Sequence, residues 1–246
     1  MIKAVIFDMD GVITAYNPRG NYFNRVFDMD GVIIDSEPIY QMWLEEFLEY
    51  QGISVPESEL RTIPGISTQA FKEKVEKWWK CCGVTNKTGE EIDREFDTFC
   101  KDKKISYKNI TSPYLKPTLE HLRNAGIRMA IASSSPLKNI NQVTSEIGID
   151  HYFDVKVSGE AFKHSKPNPE IYLYTADKLQ INVNQCVAVE DSTYGIRAAL
   201  NAKIKVIAKK DDRYGYDQTL ADFIIENLNE LPEVINKMFK KSTFIT

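Results

Sequence analysis

A chain of 246 residues that is 43% hydrophobic and 11% aromatic carries enough apolar side chain to bury a substantial core. That excludes a disordered polypeptide and allows one large α/β domain, or a core of about 150 residues with a smaller domain attached. The formal charge of −4 and a pI near 5.6, with Lys and Arg interleaved among Asp and Glu, exclude a nucleic-acid surface. Cys81, Cys82, Cys100 and Cys186 form no Cys-x-x-Cys pair, and no apolar run reaches the roughly 18 residues of a membrane span. An Asp interrupts the opening Met-Ile-Lys-Ala-Val-Ile-Phe-Asp, where a signal sequence needs continuous apolar text. A soluble cytoplasmic protein with reduced thiols and no membrane partner is expected.

In chain order, the first informative feature is a repeat. The string Phe-Asp-Met-Asp-Gly-Val-Ile stands at 7–13 and again at 27–33, each time behind a β-branched residue, Ile6 or Val26. Two Asp one residue apart at the end of an apolar strand place two carboxylates at one strand tip, a setting for a cation and a phosphoryl group. A single such site holds only one copy. Before the first copy, Ala4-Val5-Ile6-Phe7 suits a central strand buried on both faces. Before the second, Asn24-Arg25-Val26-Phe27 puts Arg25 where an apolar side chain is expected. After the motif the advantage reverses, because Ile34-Asp35-Ser36-Glu37-Pro38 leads directly into a helix whereas Thr14 to Gly20 leads only into a turn. Continuity favours Asp28 and Asp30 as the working pair, with residues 1–23 as an extension carrying a duplicate motif and Asp8 and Asp10 as the alternative.

Ser36 reads as an N-cap with Pro38 in the first turn, followed by Ile39, Met42, Trp43, Phe47 and Leu48 at helical spacing up to Gly52. Helices over 68–82 and 89–101 follow, and residues 36–108 contain no convincing strand. Trp78 and Trp79 are expected to pack these helices together with one ring exposed. Beyond Pro113 the text alternates between helices and short β-branched runs, which predicts a parallel sheet of βαβ units. Strands are expected over 127–132, 153–157, 186–189, 205–208 and 223–225, with helices over 117–124, 136–147, 167–179 and 192–201. The domains are therefore a core of residues 24–35 and 109–246 and an inserted helical module of residues 36–108.

Ligands of an open parallel sheet sit beyond the carboxyl ends of its strands. Those ends deliver Asp28 and Asp30, the hydroxyls of Ser133, Ser134 and Ser135 before a helix N-terminus, Lys166 from the loop before Pro167, and Glu190 with Asp191. Each alone has a bland reading as a turn, a cap or helix N-terminal charge. Together and in this order they fit one chemistry, in which a divalent cation and the Lys neutralise a phosphate dianion while a carboxylate attacks phosphorus. His121, His151 and His164 are scattered and are assigned no direct role.

These four segments, with a helical insert after the first, resemble the haloacid dehalogenase (HAD) superfamily of phosphohydrolases and its β-phosphoglucomutase-like branch, over nearly the whole chain from Val26 onward. The resemblance implies a Rossmann-like α/β core of parallel strands (the HAD fold) with an inserted all-helical cap. It implies that Asp28 is the nucleophile, forming an aspartyl phosphate, and Asp30 the general acid and base. Ser133 would bind the transferring phosphoryl group, assisted by the backbone NH of Ser134, and Lys166 would offset charge on both. Asp191, with Glu190 beside it, would hold Mg²⁺ together with Asp28 and the backbone carbonyl of Asp30. The second Asp points to phosphoryl chemistry rather than dehalogenation.

The mutases of this branch use a cap Arg in a Gly-x-Ser-Arg segment to hold a distal phosphate, and the matching segment here is Gly65-Ile66-Ser67-Thr68. A cap His of those mutases corresponds to Tyr40. Both departures favour a phosphatase acting on a small sugar or polyol phosphate, with Gly65 and Thr68 as substrate contacts and Lys72 or Lys74 as a further phosphate contact. A sugar-phosphate mutase is the alternative. A non-catalytic phosphate-binding protein is the reading from another class, whereas a phosphoacceptor receiver domain would be about half this length and lack the insert. A monomer acting on a small phosphorylated metabolite is expected.

Overall fold

The computed structural model describes residues 2–8, 32–33, 37–63, 68–103 and 106–241. Its elements are β1 (Ala4–Phe7), α1 (Glu37–Gln51), α2 (Glu57–Leu60), α3 (Thr68–Cys81), α4 (Gly89–Cys100), α5 (Leu115–Asn124), β2 (Arg128–Ser133), α6 (Leu137–Glu146), β3 (Val155–Ser158), α7 (Glu170–Lys178), β4 (Cys186–Glu190), α8 (Thr193–Asn201), β5 (Lys205–Lys209), β6 (Phe223–Ile225) and α9 (Leu231–Lys241). The described residues fall into two compact units, one of residues 2–8, 32–33 and 107–241 and one of residues 37–63, 68–103 and 106.

In the first unit the strands form one six-stranded parallel sheet in the order β3-β2-β1-β4-β5-β6. The chain builds outward from β1 through β2 to β3, then returns to the other side of β1 for β4, β5 and β6. The order thus reverses at β1 and β4, and such a reversal opens a crevice at the carboxyl ends of the two strands. All four residues of β1 are completely buried. Ala4 and Ile6 join Ala130, Ala188, Tyr172 and Ile196 in a core with α7 and α8 on one face of the sheet. From the alternate positions, Phe7 meets Phe153 edge-on, with ring centroids 6.0 Å apart. A strand covered on both faces must be apolar at every position, which is why Ala-Val-Ile-Phe serves here.

This placement corrects the expectation that residues 24–27 form the central strand and that residues 1–23 lie outside the core. The first copy of the repeat supplies β1. Val5 pairs in register with Met129 and Val187 and has no exposed surface, so Arg25 at the equivalent position would bury a charge. Asp28 and Asp30 lie outside the described residues, as does Ser36. Elsewhere the strands fall within two residues of their expected limits. The helix expected from Pro167 begins later, at Glu170, with Pro169 as its N-cap.

The second unit is all helical. Trp43, Phe47, Phe71, Val75, Trp79, Ile92 and Phe96 form its core. Trp78 and Trp79 are only 5% and 1% exposed, so both rings pack inward and neither lies on the surface. Thr88 and Glu91 close a reciprocal capping box at the start of α4. A Cβ at Gly89 would sit 2.2 Å from the carbonyl oxygen of Lys72, so α3 and α4 approach here only because residue 89 has no side chain. Tyr40 is buried against Trp43, with ring centroids 5.3 Å apart. Lys72 pairs with Glu90 and Lys74 with Glu59, so the two lysines expected as phosphate contacts are engaged within this unit.

Candidate active site

Asp8 follows the last residue of β1 and is 1% exposed, with its backbone NH donated to Val189 at 3.0 Å. β4 ends in Glu190, completely buried, and Asp191 follows at 1% exposure. Carboxylate oxygens of Asp8, Glu190 and Asp191 lie within 4.8 Å of one another. Lys166 reaches into this cluster from the segment before α7. Its Nζ donates to Asp8 Oδ1 at 2.5 Å, to Glu190 Oε1 at 2.9 Å and to the Ala132 carbonyl at 3.3 Å. Ser133, one residue beyond Ala132 at the end of β2, has no exposed surface, and its Oγ accepts the backbone NH of Ser135 at 3.0 Å. Ser134 is 8% exposed and sits where Gly159 lets the chain pass closely, since a Cβ there would lie 3.0 Å from Ser134 Cα.

Of the residues expected at the site, the structure thus gathers Ser133, Ser134, Lys166, Glu190 and Asp191 at the carboxyl edge of the sheet, and sets Asp8 beside Lys166. Gly65 and the side chain of Thr68 lie outside the described residues. His121, His151 and His164 are exposed.

Three residues of the site were not legible beforehand. Tyr172 on α7, fully buried, donates its hydroxyl to Glu190 Oε1. Burial foremost, and then the Glu190 carboxylate, hold its pKa well above the usual tyrosine range, so the phenol is a donor. Gly195 on α8 leaves space for the Glu190 carboxylate, whose atoms a Cβ would meet at 2.0–2.1 Å. An isolated Gly inside a helix costs about 1 kcal/mol and usually has a packing reason, which is the signal that could have found it. Gln218 donates from Nε2 to the backbone carbonyls of Asp191 at 2.5 Å and Lys209 at 2.8 Å, tying the ends of β4 and β5 together.

Three buried carboxylates around one ammonium leave excess negative charge in a poorly solvated place, which a divalent cation would relieve. The residues fit Mg²⁺: the donors are all oxygen, and Glu190 Oε2 is buried with no hydrogen-bond partner among the described residues.

A carboxylate cluster at the switch point of a doubly wound parallel sheet, with a Lys and a Ser beside it, is a set of groups that could hold a cation and offset the charge of a phosphoryl group. The family model of haloacid dehalogenase-like hydrolases matches residues 25–209, and the chain belongs to that family. The matched span takes in the second copy of the repeat, the one that continues directly towards α1. The chain is 30% identical over 231 residues to a phosphorylated carbohydrates phosphatase of Thermotoga maritima, covering 90% of this chain and 88% of the relative. It is 28% identical over 239 residues to hexitol phosphatase B of Escherichia coli K12, covering 94% of both. Among solved structures, a putative β-phosphoglucomutase from Thermotoga maritima superposes with a TM-score of 0.70 at 24% identity, over 96% of this chain and 99% of that one. A β-phosphoglucomutase from Clostridium difficile gives 0.69 at 23% identity, over 99% of both. The fold is that of the β-phosphoglucomutase-like HAD proteins, with a parallel six-stranded sheet and flanking helices.

Proposed function

We propose that this chain, a HAD-type phosphatase or phosphomutase, hydrolyses small sugar or polyol phosphates through an aspartyl-phosphate intermediate with Asp8 as the nucleophile. The observation that carries this reading is Lys166 joined to both Asp8 and Glu190, with all three side chains buried. A carboxylate attacks a phosphate dianion only where positive charge offsets their repulsion, and Lys166 stands against the attacking group to do so. The Asp8 carboxylate forms the bond to phosphorus while the ester oxygen leaves and takes a proton. By sequence, Asp10 is the residue to supply that proton and to activate the water that cleaves the acyl phosphate. The Ser133 hydroxyl and the Ser134 backbone NH are donors for the phosphoryl oxygens. Asp8, Glu190 and Asp191 would hold Mg²⁺, which supplies Lewis-acid stabilisation of the charge on the transferring group.

Support for the substrate class comes from the relatives, named for phosphorylated carbohydrates and hexitol phosphates. Hydrolysis is favoured over mutation because the segment Gly65-Ile66-Ser67-Thr68 carries no Arg to clamp a second phosphate. Phosphate release from a panel of hexose, pentose and hexitol phosphates tests the reading. Turnover that EDTA removes and Mg²⁺ restores is expected. Full turnover in excess EDTA would refute the metal assignment, and no turnover of any phosphate ester would refute the enzyme.

A further inference from the structure

Glu190 is fully buried, and its two carboxylate oxygens are treated differently. Oε1 accepts Lys166 Nζ at 2.9 Å and the Tyr172 hydroxyl. Oε2 is buried without a hydrogen-bond partner among the described residues. The carboxylate lies against the bare Cα of Gly195, at the start of a helix whose N-cap, Ser192, accepts the Gly195 NH at 3.0 Å. That face holds the carboxylate close without offering Oε2 a polar partner.

Tyr172 is equally constrained. It has no exposed surface, sits in the core between the sheet and α7, and carries Lys166 Nζ 5.4 Å from its ring centroid. A buried phenol that spends its single proton on Glu190 Oε1 blocks that oxygen to anything but Lys166. We propose that Tyr172 is a positioning residue: it holds Glu190 so that Oε1 serves Lys166 and Oε2 is the oxygen left without a hydrogen bond for the divalent cation. The inference rests on the metal reading given above and goes beyond it by naming the group that orients the ligand. Without the hydroxyl, the carboxylate can rotate to share Oε1 between Lys166 and the cation, and the geometry offered to the metal is no longer single.

Tyr172→Phe keeps the ring and its packing and removes only the hydroxyl. Binding of Mn²⁺ alone, followed by EPR or calorimetry on the metal-free full-length protein without substrate, should weaken about tenfold or more, the usual size of an effect on a partner that orients a metal ligand. At saturating metal the KM for sugar phosphate should stay within about twofold, because Tyr172 does not touch substrate. In a Glu190→Gln background the same change should have almost no further effect on Mn²⁺ binding, since Tyr172 acts through Glu190. Unchanged Mn²⁺ affinity in Tyr172→Phe, or a loss that adds fully to that of Glu190→Gln, would overturn the proposal while leaving the metal site intact. If the unsubstituted protein fails to bind Mn²⁺, the metal reading itself falls and the proposal with it. A variant that unfolds is replaced by Tyr172→Trp or Tyr172→Met, judged by the same two comparisons.

Discussion

Replacing Asp8 by Asn should abolish turnover and phosphoenzyme formation, and replacing Asp28 by Asn should leave both nearly intact. The magnitude follows from what each copy of the repeat would bury. If residues 24–27 took the place of β1 in the same register, Asn24 would replace Ala4 and Arg25 would replace Val5, both positions having 0% exposure. Losing the buried Val side chain costs about 1.5–3 kcal/mol, and an unpaired buried amide costs about 1–3 kcal/mol more. Burying the guanidinium adds roughly several kcal/mol after relaxation. Against this stands the longer connection that the first copy leaves before α1. Closure entropy grows only by about 0.6 kcal/mol per doubling of length, so a connection about three times longer costs roughly 1 kcal/mol. The first copy wins by on the order of 5 kcal/mol, more than about a thousandfold in population. Steady-state phosphate release and mass-spectrometric detection of the acyl phosphate measure the result. Asp8→Asn should fall at least about a thousandfold, since an amide cannot replace the nucleophile. Loss of activity in Asp28→Asn with an active Asp8→Asn would refute the burial argument and show that continuity into the helical unit decides the strand.

The remaining expectations concern the helical unit and the substrate. Gly89→Ala should destabilise the protein by about 1–3 kcal/mol, seen as an earlier thermal melt by circular dichroism. The atom a Cβ would strike is the Lys72 backbone carbonyl, which cannot swing aside, and an unchanged melt would show that α3 and α4 are not locked at this contact. Conversion of β-glucose 1-phosphate to glucose 6-phosphate should be weak or absent because Thr68 stands where a clamping Arg is needed. Efficient turnover with a bisphosphate activator would assign that clamp to another basic residue.

The alternation of helices and β-branched runs beyond Pro113 made the parallel sheet legible, and the polar residues that end those runs, with Lys166 from the loop before Pro167, marked Ser133, Ser134, Lys166, Glu190 and Asp191 as candidates that the fold brings to one edge of the sheet. This was possible because strand periodicity and the strand-end rule are local: each run announces its own tip. The choice between the two copies of Phe-Asp-Met-Asp-Gly-Val-Ile was of another kind. The strings are identical, their flanks argue in opposite directions, and the cost of Arg25 depends on a site enclosed by β2, β4 and helices distant in sequence. Only the tertiary structure places Ala4–Phe7 in the sheet, because burial on both faces is a property of the assembled sheet. The same holds for Tyr172 and Gly195, which read as ordinary core and helix residues until α7 and α8 pack on the sheet and bring one against Glu190 Oε1 and the other against its carboxylate. Hydrogen bonds and close approaches between segments leave no periodic trace in the chain, so only the packed structure reveals which buried phenol has a carboxylate to serve.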